Sequence, residues 1–203
     1  KLNMGLMIME QNTTLFDEDE MEQISTLASS ILPPSELAEW NSLLQKAIHH
    51  PDDVLEDEKY SNYSDLEAVF DEDDDDRLQL LFDIFCHSHN IVVAIDWRGE
   101  DDDDQLITFL SQRISQFDPT LEKEQLFKTL KEHVDNSELE NEEFESSTDY
   151  FAEKFSLLQD FIEKYGYKMW VLHVDYDSYP IFIASIENNS VIETEMFMDF
   201  IPN

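Results

Sequence analysis

The stretch Met169-Trp170-Val171-Leu172-His173-Val174, continuing through Asp175-Tyr176-Asp177-Ser178-Tyr179-Pro180 into Ile181-Phe182-Ile183-Ala184-Ser185-Ile186, decides the fold. Two apolar runs of strand length flank a linker of turn-forming residues. Asp and Ser side chains bond to nearby main-chain groups, and Pro fixes its own φ. The pattern predicts a β-hairpin with strands at 169–174 and 181–186. Upstream, Phe151, Phe155, Leu158, Ile162 and Tyr165 recur at helical spacing, and Gly166 is placed to cap that helix.

Further upstream, Ile91-Val92-Val93-Ala94-Ile95 is a β-branched run without alternation, the mark of a strand (91–96) covered on both faces. Between this strand and the hairpin, Leu106, Ile107, Leu110, Ile114 and Phe117 define one helix that breaks at Pro119. Leu126, Phe127, Leu130 and Val134 define a second. On the N-terminal side, Met21, Ile24, Leu27 and Ile31 form a helix behind acids at 17–20, where carboxylates meet the positive end of the helix dipole. Leu37, Trp40, Leu43, Leu44 and Ala47 continue after Pro33-Pro34. Residues 52–63 are polar and turn-like, and Leu66, Val69 and Phe70 suggest one short helix. Leu78, Leu80, Leu81, Phe82, Ile84 and Phe85 then make a helix apolar nearly all round, expected at the centre. A last helix is expected at 191–200.

The order points to an α+β fold, helix-rich, with a small sheet of about three strands (91–96, 169–174, 181–186) packed against helices. If the 91–96 strand pairs in parallel with 169–174, Asp96 and Asp175 end neighbouring strands at one sheet edge. At 203 residues, the expectation is an N-terminal segment at 1–16, partly foreign or processed because Lys1 is no initiator methionine, and a single acidic domain at 17–203. Acid-rich inserts interrupt that domain near 71–76 and at 135–149. The second insert holds seven acids and reads as a solvated loop.

Charge is the strongest compositional fact: 48 Asp and Glu against 12 Lys and Arg, a formal −36. Such a surface repels nucleic-acid phosphates and anionic lipid, whose recognition needs clustered Lys and Arg. It attracts basic proteins, polyamines or divalent cations, or it simply provides solubility. Cys86 is the one cysteine, so no intrachain disulfide forms, and its apolar surroundings predict a buried inert thiol. No apolar run approaches the ~18 residues of a membrane span, and the N-terminus lacks a signal-peptide pattern, so cytoplasm is the default.

Motif chemistry is sparse. With three glycines, no phosphate-binding loop, dinucleotide fingerprint or nucleophile elbow is present. His87 and His89 follow Cys86, and His49 adjoins His50. The spacing matches no zinc motif, and a histidine bonding to helix-end carbonyls is the simpler reading. The runs at 73–76 and 101–104 lack the calcium-loop spacing and read as acid-rich helix starts. His173 alternates with Met169 and Val171 and reads as a hydrogen-bonded sheet residue. No metal and no cofactor is implied.

The candidate binding cluster is Asp96, Trp97 and Arg98 at one strand end, with Asp175, Asp177 and Tyr179 in the hairpin. Polar groups at strand ends converge on clefts in open sheets. Three carboxylates, a guanidinium and a phenol suit a binding pocket or a general acid–base pair. The same residue types also build turns and neutralise one another.

The strand end Ile95-Asp96-Trp97 and the hairpin segment Val174-Asp175-Tyr176-Asp177-Ser178-Tyr179-Pro180 resemble an uncharacterised bacterial domain family of unknown function, over about residues 20–200. That resemblance implies no activity, and the acidic inserts look additional to it. Three functions fit the residues. The first is a non-enzymatic, highly acidic protein-binding module of immunity or inhibitor type, with a basic partner. The second is a nucleic-acid mimic whose carboxylates imitate phosphates. The third is a carboxylate-based enzyme using Asp96 and Asp175, with or without the assistance of a divalent metal.

Overall fold

In the computed structural model, residues 15–71, 77–96, 104–137, 139, 144, 146–172, 178–188 and 197–198 are described. The fold is α+β. Helices α1 (Glu18–Ile31), α2 (Pro34–His49), α3 (Pro51–Leu55) and α4 (Arg77–Ser88) precede strand β1 (Val93–Asp96). Helices α5 (Gln105–Phe117), α6 (Lys123–Asp135) and α7 (Ser147–Ile162) follow, then β2 (Tyr167–Leu172), β3 (Ser178–Ser185) and β4 (Phe197–Met198).

Local chemistry sets the element ends. Asp17 caps α1, accepting from the backbone N–H groups of Asp19 and Glu20 at 2.9 and 3.3 Å. Ser146 caps α7 by accepting from the Asp149 N–H. Asn90 and Gly166 take positive φ, of 54° and 84°, and reverse the chain after α4 and after the helical turn Glu163–Tyr165. Asn tolerates that conformation and Gly adopts it freely, which satisfies helix-end carbonyls. Among the described residues, no helix is long and apolar enough to cross a membrane.

All strand pairings are antiparallel, in the order β1-β3-β2-β4. Alternation along the two central strands builds two cores. Met169, Val171, Ile181 and Ile183 pack with α5, α6 and α7, whereas Trp170, Phe182 and Ala184 pack with α1, α2 and α4. The sheet therefore lies between two helical layers, and β2 and β3 read as near-continuous apolar runs because both faces are covered. Phe85, Trp40 and Phe82 pack at the centre of the first core, with the Trp40 and Phe82 rings edge-on at 4.9 Å. Cys86 lies in that core, and burial pushes its thiol well above the ordinary cysteine range.

Five expectations are corrected. The helical layer expected on the sheet is two layers, one on each face. β1 pairs antiparallel with β3 rather than parallel with β2, and it is an edge strand with Ala94 exposed, so it is not covered on both faces. Its apolar run splits instead: Ile91 and Val92 enter the first core before the strand begins, and Ile95 enters the second. Residues 191–200 do not form a helix throughout, because Phe197 and Met198 pair with Leu172 and Val171. Residues 51–55, read partly as turn, form α3, started by Pro51 in its first turn and held by buried Val54. Within 135–149, Leu139 is buried and Phe144 meets the Tyr150 ring at 5.5 Å, so apolar side chains anchor part of the acidic segment.

Candidate functional site

The strand-end cluster is described in part. Asp96 pairs with Ser178 and Ile95 with Tyr179, so the end of β1 lies beside the start of β3. β1 and β2 both run antiparallel to β3, so the C-terminal end of β2 lies at that same sheet end. Asp96 and Tyr179 occupy neighbouring rather than paired register positions. Trp97, Arg98, Asp175, Asp177 and His173 lie outside the described residues, as do residues 72–76 and 101–103 of the acidic runs. Asp104, the last acid of the second run, does not cap α5. Its carboxylate meets Lys131 of α6 at 2.6 Å.

A second constellation was not legible beforehand. His89, just past α4, places Nδ1 2.9 Å from the Phe85 carbonyl, which accepts from it. Its Nε2 lies 2.9 Å from Glu39 Oε2 on α2 and against Lys59 Nζ, and Lys59 is itself 3.3 Å from Glu39. The imidazole stacks on Phe85 with ring centroids 3.9 Å apart. The His89 hydrogen bond, assisted by Lys59, holds the Glu39 carboxyl below its ordinary range against the opposing effect of burial. Tyr60 is raised to about 12 by burial, with Asp57 and Glu39 adding to the effect, so its hydroxyl stays protonated at neutral pH.

These groups edge a shallow cavity of about 220 Å³ lined by Glu39, Ser42, Leu43, Lys46, Asp57, Lys59 and Tyr60. Lys46 pairs with Asp57 at 3.6 Å, so two ammonium groups face two carboxylates. The charges answer one another, and the arrangement pins the segment after α3 to α2 and α4. The helix-end reading of His89 is thereby borne out in its carbonyl contact, with the Glu39 and Lys59 contacts added. His89→Ala is expected to destabilise the fold by ~1–3 kcal/mol, in the range for losing a partly buried polar hub. Urea denaturation checks this, and an unchanged midpoint would contradict the clamp.

A further ion pair is largely internal. Arg113 of α5 is 0% exposed, and its Nη1 donates to Glu36 Oε1 of α2 at 2.6 Å and to Gln116 Oε1 at 2.7 Å. The guanidinium also lies over the Phe117 ring at 5.3 Å. On α4, Asp83 lies 3.6 Å from His87; burial raises its pKa, His87 opposes the rise and Asp65 adds to it. Among the described residues, no three His, Cys, Asp or Glu side chains come together in a way that could hold a metal ion.

Two antiparallel central strands between helical layers make this an α+β fold. The chain belongs to the DUF6630 family, a domain of unknown function, whose model matches residues 22–194. No curated protein and no solved structure matches the chain.

Proposed function

We propose that the chain is a non-enzymatic binding module that recognises a basic protein partner through its carboxylate surface. One observation carries this reading. With 48 acids and 12 Lys plus Arg, 36 negative charges remain in excess even if every such cation neutralises one acid. The exposed acids are distributed over both helical layers, including Glu18, Asp19 and Glu22 on α1, Asp52 and Asp53 on α3, and Glu153 and Asp160 on α7. Unmatched charge on a folded surface accelerates encounter with an oppositely charged protein and fixes its orientation. A reduced, buried thiol suits a partner in the cytoplasm.

The test is capture from native extract and titration with a lysine–arginine peptide, each at about 50 mM and about 500 mM salt. The Debye length shortens from roughly 13 Å to roughly 4 Å between these conditions. Expected is at least a tenfold weakening of affinity at the higher salt. Peptide binding that ignores salt, or no binding at low salt, would sink the proposal.

A further inference from the structure

Among the described residues, Tyr165 and Ile186 are the large hydrophobic side chains left most open, at 36% and 38% exposure. They belong to one place, because the Ile186 N–H donates to the Gly166 carbonyl at 2.9 Å. Tyr165 also lines an open groove of about 270 Å³ with Leu121, Leu126, Gln125, Thr129 and Glu122. The groove is smaller than the ~300–1,000 Å³ of small-molecule sites, so one long side chain fits it better than a metabolite. Its chemistry is that of a receptor for a cationic side chain. Leu121 and the small open part of Leu126 offer apolar surface, Tyr165 contributes an aromatic ring that also packs against Phe161, and Glu122 supplies a negative charge.

Glu122 is the N-cap residue of α6, where the helix dipole favours a carboxylate, and that carboxylate has no hydrogen bond or ion pair among the described residues. Lys123 donates to Gln112, and Lys164 lies over the Phe161 ring at 5.3 Å. Glu163 and Glu187 add exposed carboxylates on either side of Tyr165 and Ile186. Arginine suits this groove better than lysine, since a planar guanidinium stacks on an aromatic face while pairing with a carboxylate.

We propose that the groove between the α5–α6 turn and the Glu163–Tyr165 turn is the anchor of the basic-partner interface and receives an arginine side chain of that partner. In the complex, the arginine methylenes lie on Leu121 and Leu126, and the guanidinium lies between the Tyr165 ring and Glu122. This inference rests on the basic-partner reading and names the place and side chain that reading requires.

The probe is a fluorescent lysine-rich peptide with one central arginine, compared with the same peptide carrying lysine or citrulline there. Affinities are measured at low salt for the wild type, Glu122→Gln, Tyr165→Ala, Tyr165→Phe and the remote Glu18→Gln. Glu122→Gln and Tyr165→Ala are each expected to weaken the arginine peptide about tenfold, the scale of an interface anchor. Tyr165→Phe keeps the affinity because the ring face remains, and Glu18→Gln changes it less than about twofold, as a surface charge remote from the anchor. The lysine and citrulline peptides bind the wild type more weakly than the arginine peptide and respond little to the groove variants. Two results overturn the groove while leaving the charge-based function standing: wild-type affinity in both groove variants, or equal binding of the arginine and lysine peptides. Failure of every peptide to bind the wild type at low salt removes both. All of the substituted side chains are exposed, and matched melting curves identify any variant that has lost its fold.

Discussion

Arg113→Met is expected to destabilise the protein by about 3–5 kcal/mol, the scale of breaking a buried ion pair from one side. The guanidinium is wholly inside and bound at 2.6 Å to Glu36, which is 9% exposed, so its removal leaves a carboxylate with no counter-ion away from water. Arg113 Nε and Nη2 and Glu36 Oε2 lack hydrogen-bond partners among the described residues, so the pair is only partly compensated. The double variant Glu36→Leu/Arg113→Met is therefore expected to recover most of the loss, since apolar replacement of both charges removes the desolvation cost as well. Guanidinium denaturation of the two single variants and the double variant decides the matter. A loss below about 1 kcal/mol for Arg113→Met would show that the pair contributes nothing across the layers.

The second large effect is that of charge on stability. Salt is expected to raise the melting temperature by at least ~5 °C at neutral pH, because roughly 2 kcal/mol of relieved repulsion corresponds to that shift in a chain of this size. Mild acidification acts in the same direction. A carboxyl raised in the folded state, as burial raises Asp83, makes the folded form bind more protons than the unfolded one. Its penalty on the fold is present at neutral pH and is relieved as pH falls through the folded pKa. Glu39 and Asp118 have the opposite sign. Hydrogen bonds from His89 and Thr120, respectively, hold them low, and that stability is lost as pH falls through their folded pKa values. Melting temperature should thus rise from about pH 7.5 toward about 5.5 and fall only at more acidic pH, where these carboxylates protonate. A steady decline over the first interval at low salt would contradict it.

Much of the fold was legible because period and length agree in most elements. Leu106, Ile107, Leu110 and Ile114 recur as helix α5 requires, and the run Ile181-Phe182-Ile183-Ala184 can hardly be anything but a doubly covered strand. Phe197-Met198 misled because two residues carry no period. Only the partner Val171-Leu172 makes them a strand. β1 misled because its apolar residues serve two cores in succession, which from sequence alone resembles one strand buried on both faces. The Glu39–His89–Lys59 clamp joins positions 30 and 50 residues apart, and Arg113 and Glu36 are 77 apart. No local pattern marks such pairs, since each side chain alone is an ordinary exposed or amphipathic residue. The groove at Tyr165 was hidden similarly, because Tyr165 completes a helical stripe and reads as core.

The hairpin that divides the two cores also fixes when either can be finished during synthesis. Helices α1, α2 and α4 leave the ribosome early, yet Trp170, Phe182 and Ala184, which cover their apolar side, come from the last part of the chain. Until those residues emerge, Trp40, Phe82 and Phe85 have only their own layer to pack against. Nascent chains then expose an unfinished apolar surface over most of their length, the circumstance in which chaperones are recruited and misassembly begins. Because closure depends on contacts between distant parts of the chain, folding of the released protein is expected to be slower than that of a helical bundle of comparable length.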